Sequence, residues 1–395
     1  MYTITNQIVI TEFKERFKIN KVNIEKPKVC ILGAGNGGLA AASDLTIRGF
    51  KVTLAELPEF RENIEEVQNK GGIFLETLDS TGLEGGFAEI YKVTSNISEA
   101  ISEADIVLII TPSFAHKKIA EKSASFLKAD HTVLLAPGNL GGSIEFYNHL
   151  VEFGGDKNIF ISELECMMYA CRKKDENTIY VRGFKESLGF ATFPASATNN
   201  EFNKVKEIYP NIVKRNNILE TGFSNINPIL HVPILISNLS NIDNKKDILM
   251  YHDALTKSIS NIAESMDKER MSLNTTSQDI QLLPMKKIYK GWYYHQGSRG
   301  DSFEELAGKN PIYYESKLPQ SLNHRYLIED IPYGLIPMLS ILEKFNGQFS
   351  SIKSVINMAN VITGCNYYEQ ARTLESLSLQ DKNKSQILNY IKYRN

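Results

Sequence analysis

At 395 residues the chain is about twice as long as one ordinary domain, and 42% hydrophobic with 23% charged residues suits two globular units. Acids outnumber bases by 46 to 44, a net charge of −2 with no long basic run, which removes electrostatic support for a nucleic-acid or anionic-membrane partner. Four scattered cysteines (Cys30, Cys166, Cys171, Cys365) form no CxxC or framework spacing, no apolar run approaches the roughly 18 residues of a membrane span, and no secretion signal opens the chain; reduced thiols, no metal set and a cytoplasmic setting are expected.

Residues 1–27 are mixed and charged and read as an N-terminal extension. From Lys28 the pattern becomes regular. Val29-Cys-Ile-Leu32 predicts a buried strand, Leu39–Ile47 a small-residue helix stopped by Gly49, and Lys51–Glu56 a second strand. Further strands are expected at 105–110, 132–136 and 158–162, with 179–182 and 188–192 as edge strands. Continuous apolar strands alternating with helices argue for a parallel sheet covered on both faces. Beyond about residue 200 helical periodicity dominates, at 230–238, 247–267, 335–345, 351–363 and 367–379. The expected organisation is therefore a doubly wound α/β domain over 28–200, followed by an all-α domain over 201–395.

Between the first strand and helix lies Gly33-Ala-Gly35-Asn36-Gly37-Gly38, a GxGxxG in the strand–turn–helix context that a dinucleotide-binding Rossmann unit requires. The first glycine makes the turn, the second admits the pyrophosphate, and the third lets the helix pack close to the strand. Glu56 ends the second strand 18 residues after Gly38. A carboxylate there accepts the ribose hydroxyls and repels a 2′-phosphate, so NAD(H) is favoured; Arg61, one turn on, keeps NADP(H) open. Ligands of such sheets sit beyond the C-terminal strand ends, here Thr111-Pro112-Ser-Phe-Ala-His116 and Pro137-Gly-Asn139-Leu-Gly-Gly142. His116 is read evenly as a ligand contact or a helix cap.

A hydride enzyme acting on C=O or C=N needs an acid/base near neutrality, and histidine is the usual choice. His231 stands on an otherwise apolar helix among Asn225, Asn227 and Asn238. In His324-Arg-Tyr-Leu-Ile-Glu-Asp-Ile-Pro-Tyr-Gly-Leu-Ile-Pro337, a helical turn from Arg325 puts Glu329 on the same face and rotates Asp330 away, while Pro332 forbids an uninterrupted helix. The chain is expected to break near Asp330 and restart over 332–345. Asp330 is then either the cap of that second helix, the reading favoured by residues alone, or the carboxylate that orients an imidazole.

These pieces resemble the octopine/nopaline (opine) dehydrogenase family over about residues 28–379. The glycine turn, Asn225–His231, Met266-Asp-Lys-Glu-Arg270, His324–Gly334 and Ala371-Arg-Thr-Leu-Glu375 occur in the family's order, and the HRY…EDxPYG segment is the most specific. Two positions depart from it: Met168 where proline is expected, and Ala371-Arg372 in place of Gly-Arg. The resemblance implies NAD(P)H-dependent condensation of a 2-oxo acid with an amino acid's amine. It also implies that His231 is the catalytic base, Asp330 its acidic partner and Arg325 a carboxylate anchor. Two substrate carboxylates need two sockets, and Arg172 or the Asn139 loop is expected to provide the second. Trp292, Tyr293, Tyr294 and His295 are read evenly as pocket walls or core. The expected partners are small molecules, with a homodimer left open. The alternatives are a simple 2-oxo-acid reductase and a non-catalytic nucleotide-binding regulator.

Overall fold

The computed structural model describes residues 26–345, 347 and 349–395, so the expected N-terminal extension falls almost wholly outside the described residues. The first half contributes strands β1 Val29–Leu32, β2 Val52–Ala55, β3 Gly72–Thr77, β4 Gly86–Glu89, β5 Lys92–Thr94 and β6 Ile106–Ile109. β7 Thr132–Leu135, β8 Ile161–Leu164, β9 Tyr169–Lys173, β10 Thr178–Phe184, β11 Leu188–Phe193 and β12 Ile212–Lys214 follow. They form an eight-stranded sheet of order β12-β11-β8-β7-β6-β1-β2-β5 and a four-stranded sheet of order β4-β3-β10-β9.

In the large sheet β1 lies between β2 and β6, parallel to both, with Ile31 opposite Leu54 and Leu108. All four residues of β1, β2, β6 and β7 are buried, as expected of strands covered on both faces. Strand order reverses at β1 and β6, and the crevice above their C-terminal ends is where such sheets take ligands. The helix Asn36–Ile47 packs against this sheet with Ala40, Ala41 and Ala42 fully buried, so small side chains set its close approach.

The two expected edge strands are not edges. β11 runs antiparallel to β8 and parallel to β12 inside the large sheet, while β10 lies between β3 and β9 in the small one. Alternation along a strand tells which face is buried, not which sheet it joins. The helix Thr198–Ile208 and β12 extend the large sheet past residue 200.

The helical half begins with Ile218–Ser224, capped by the Asn217 side chain, which accepts the Leu219 and Glu220 amides. Next comes Asn227–Ile236, with Pro228 in its first turn, packed on Lys257–Met271 and Ser350–Thr363. The expected helix over 247–267 starts only at Lys257, where Thr256 accepts the Ile259 amide. The stretch before it turns and makes a β-bridge from Leu249 to Lys317. The helix expected over 367–379 reduces to one 3₁₀ turn, Tyr367–Gln370. Beyond it Arg372 is drawn into the sheet domain, its Nε donating to Glu145 at 2.8 Å and its Nη1 to the Leu140 carbonyl at 2.8 Å. A guanidinium buried to that depth fixes its backbone against continuing a helix.

Glu163 on β8 is fully buried where the two halves meet, accepting from Thr221 Oγ1 at 2.5 Å and from the Ser143 amide at 3.1 Å. Burial pushes its carboxyl up to about 7, against those hydrogen bonds. The folded chain therefore holds this proton more tightly than the unfolded chain does. The resulting stabilisation is complete below the ordinary glutamate pKa of 4.5 and is lost as pH rises through about 7. Chemical denaturation of wild type and Glu163→Gln at pH 4.5 and 8 should show the wild type losing about 3 kcal/mol more than the variant across that window. Parallel profiles would mean that Glu163 is ionised throughout.

Candidate active site

The glycine turn is dictated by crowding. Gly33 has φ +109°, and a Cβ there would lie 2.5 Å from the Ile110 carbonyl; one on Gly38 would lie 1.7 Å from the Gly33 carbonyl. At Gly35, by contrast, nothing stands within 4 Å of a Cβ position, and the helix starting at Asn36 has no side-chain cap. The first-turn amides thus face an open cradle, which suits a diphosphate. Asn36 is held in place by β9: its Oδ1 accepts the Lys173 amide at 2.7 Å. Glu56 is buried beside the turn, its Oε2 accepting the Ala34 amide at 2.8 Å and its Oε1 the Leu57 amide at 2.9 Å. Thr111, at the end of β6, leaves a buried Oγ1 without a partner among the described residues, and the exposed Pro112 follows it.

The segment 324–344 joins the two halves. Arg325–Ile328 forms one α-turn, Ile331–Leu335 a π-turn, and Ile336–Lys344 an α-helix. The expected restart at Pro332 is thus a wider turn, in which the Leu335 amide reaches back to the Asp330 carbonyl. Pro332 cannot donate, and the extra residue per turn accommodates that. Arg325 Nη2 pairs with Glu329 Oε2 at 3.0 Å. The other oxygen of Glu329, only 2% exposed, crosses to the sheet domain and accepts the Ser113 amide at 3.1 Å. Asn139, in the left-handed region at φ 54°, donates to Ser113 Oγ at 2.5 Å and accepts from Asn225 Nδ2 at 2.5 Å. This chain of bonds spans the crevice.

Asp330, rotated away from that face, meets His231: Nδ1 and Oδ2 are 2.8 Å apart. Asp330 does not cap the next turn, because its backbone is already helical and its side chain makes no cap bond. A carboxylate only accepts, so Nδ1 carries the proton and the neutral ring leaves Nε2 bare. Tyr251 completes the arrangement, its hydroxyl 3.0 Å from Nε2. Burial raises the Tyr251 phenol well above its ordinary value, so it stays protonated and donates. Tyr326 stacks on the imidazole with centroids 3.9 Å apart at 27°. His324, on the same turn, is pushed down to about 4, by burial first and then by His231, Arg325 and Arg172.

His116 is the first residue of its helix and does not cap it, and neither ring nitrogen has a hydrogen-bond partner among the described residues. It is fully enclosed, edge-on to Phe146 at 6.3 Å, and burial followed by the charge of Arg372 pushes it down to about 3. Arg172 lies exposed on β9, close enough for its charge to reach His324. Trp292 and Tyr293 are core residues, the indole donating to Glu165 at 2.8 Å, whereas Tyr294 is exposed. Sequence reasoning missed Tyr251, Tyr326 and the crossing role of Glu329. A tyrosine in a turn carries no local signal of long-range convergence. Among the described residues no cluster suits a metal ion, and no helix is long and apolar enough to cross a membrane.

Two family models match the chain. Residues 28–138 fit the NAD-dependent glycerol-3-phosphate dehydrogenase N-terminus, and residues 214–363 fit the NAD/NADP octopine/nopaline dehydrogenase alpha-helical domain. An opine dehydrogenase of Arthrobacter sp. (strain 1C) is 29% identical over 356 residues, covering 90% of this chain and 96% of that protein. An octopine dehydrogenase solved with NADH and L-arginine superposes with TM-score 0.74 at 18% identity, covering 94% of this chain and 98% of that one. An NADP⁺-bound yersinopine dehydrogenase gives TM-score 0.66 at 13% identity, covering 94% and 98%.

Because Glu329 is buried and ties Arg325 to the Ser113 amide, Glu329→Ala should leave that amide unpaired and destabilise the fold by about 2 kcal/mol. Denaturant titration measures this directly. A loss below about 0.5 kcal/mol would mean that the crossing bonds contribute little.

Proposed function

Since the chain belongs to the octopine/nopaline (opine) dehydrogenase family, we propose that it condenses the amino group of an amino acid with a pyruvate-like 2-oxo acid, and that His231 and Asp330 manage the protons. The reaction class is that of an NAD(P)-dependent oxidoreductase acting on a CH–NH bond. The observation that carries the residue roles is the 2.8 Å contact between His231 Nδ1 and Asp330 Oδ2, which leaves Nε2 as the ring's accepting nitrogen. Octopine dehydrogenase complexes with NADH and L-arginine, and with NADH and pyruvate, support the substrate classes.

An amino acid enters as an ammonium ion, which is no nucleophile. Nε2 takes its proton once the ammonium displaces the Tyr251 hydroxyl, and Asp330 balances the charge that the ring gains. The free amine adds to C2 of the 2-oxo acid. Water then leaves with the proton that His231 returns, and a protonated imine remains. NAD(P)H, when bound in the glycine cradle, would supply the hydride for that imine. Arg325, exposed at the rim and paired with Glu329, anchors the amino acid's carboxylate in this proposal.

The open position at Gly35 and the first-turn amides of Asn36 and Gly37 would hold the diphosphate, with Gly33 and Gly38 allowing the tight turn and close helix approach, and Thr111 and Pro112 flanking the nicotinamide end. Glu56 would take the adenosine ribose hydroxyls, which favours NADH. Arg61 is 64% exposed and only loosely paired, at 4.0 Å, with Glu65, so NADPH keeps a counter-ion in reach. The four free cysteines accord with a cytoplasmic location.

His231→Ala should abolish amine-dependent NADH oxidation while NADH binding stays within about twofold. Loss of cofactor binding in that variant would instead mark the histidine as structural. Glu56→Ser should weaken NADH by about tenfold and narrow its advantage over NADPH, as read by NAD(P)H fluorescence titration. An unchanged preference would remove Glu56 from the ribose site.

A further inference from the structure

Condensing two carboxylic acids requires two cationic sockets, and Arg325 accounts for one. The loop expected to form the second is occupied by its own structure. The Asn139 amide is committed to Ser113 and Asn225, and the Gly138 and Leu140 carbonyls accept from Arg372. Arg172 stands exposed at the rim.

Lys185 is different. Its residue is 5% exposed, and its ammonium makes one hydrogen bond, to the Met167 carbonyl at 2.7 Å. The faces of Trp292 and Tyr293 each lie 5.4 Å from it. Among the described residues no carboxylate pairs with it, and Glu165 on the adjoining stretch is committed to Arg215 and Trp292. Its backbone is pinned on both sides, the amide donating to the Met168 carbonyl and the carbonyl accepting from Asn211. A buried cation usually has an anion, and this one has two donor positions to spare.

Its position relates it to the crevice. The carbonyl it holds belongs to Met167, whose side chain packs against Gly37 in the cofactor cradle. Cys166, the residue before Met167, accepts from Asn227 Nδ2 at 3.4 Å, and Asn227 lies one turn before His231 on the same helix. Tyr293, over whose ring Lys185 lies, has its hydroxyl 2.5 Å from that of Tyr313, and the Tyr313 ring lies 4.8 Å from that of Tyr251, the partner of His231. Lys185 is thus connected through Met167 to the glycine turn and through Tyr293, Tyr313 and Tyr251 to the imidazole.

We propose that Lys185 binds the carboxylate of the 2-oxo acid, supplying the second socket. The inference rests on the condensation reading given above. Pyruvamide, which keeps the ketone and removes the charge, tests it against pyruvate. In wild type, pyruvate should exceed pyruvamide in kcat/KM by about a hundredfold, and Lys185→Met should bring the two within a few-fold. The variant should raise the KM for pyruvate by about thirtyfold or more while the KM for the amino acid stays within about twofold. Lys185→Arg should recover part of the loss. Equal rises in both KM values, or an unchanged preference for pyruvate over pyruvamide, would overturn the proposal.

Trp292 is the chain's single tryptophan and lies against Lys185, so its emission reports the site without turnover. With NAD⁺ bound, pyruvate should change that emission saturably in wild type and not in Lys185→Met, and pyruvamide should leave both unchanged. If no 2-oxo acid and amino acid pair consumed NADH but this pyruvate response persisted, the condensation reading would fall and the carboxylate socket would stand. Absence of the response in a wild type that turns over would remove the socket alone.

Discussion

Everything in the crevice depends on a contact between residues 99 apart in sequence: His231 Nδ1 to Asp330 Oδ2 at 2.8 Å. The contact exists because the backbone after Arg325 changes pitch. One α-turn puts Glu329 beneath Arg325, and the π-turn that begins after Asp330 lets the neighbouring carboxylate take a different direction. Two adjacent acids thereby serve two tasks. Glu329 ties the helical half to the amide at the end of β6, and Asp330 sets the proton on an imidazole. Neither position could be moved by one residue without losing its partner.

The same economy explains why the buried charges are not interchangeable. Arg372 and Arg270 are both nearly or fully buried, and both belong to segments that carry the family resemblance, yet their guanidinium groups brace backbone. Arg270 holds Asp267 and the Phe223 carbonyl, and Arg372 holds Glu145 and the loop after β7. Both make several hydrogen bonds to protein, although Arg372 Nη2 has no partner among the described residues. Lys185 is buried too and makes one hydrogen bond. Each arginine is paired with a carboxylate and Lys185, among the described residues, with none, and that contrast separates scaffold from candidate socket more sharply than burial or motif membership does.

The sheet domain was legible because its signals are local. A continuous apolar strand, a glycine turn and an alanine-rich helix leave few alternatives, and Gly38 is fixed because any Cβ there would stand 1.7 Å from the Gly33 carbonyl oxygen. Where the signals are non-local, reading failed in describable ways. β10 and β11 read as edge strands in the sequence, yet sheet membership is decided by distant partners, and all six residues of β11 are buried. Residues 367–379 look helical, but Arg372 is anchored elsewhere. The pairing of Asp330 with an imidazole was open from the residues as the second of two readings, and only the resemblance named His231 and set that reading ahead of a capping role. Tyr251 and Lys185 carried no signal at all, because their significance comes from packing against segments far along the chain.

The measurement closest to the central claim is the tautomer of His231, read by ¹H–¹⁵N NMR of histidine-labelled protein with His231→Gln to assign its signal among the seven histidines. The account predicts a neutral ring protonated on Nδ1, with that proton shifted downfield by Asp330 and the shift lost in Asp330→Asn. A ring protonated on Nε2, or a signal indifferent to Asp330, would contradict it.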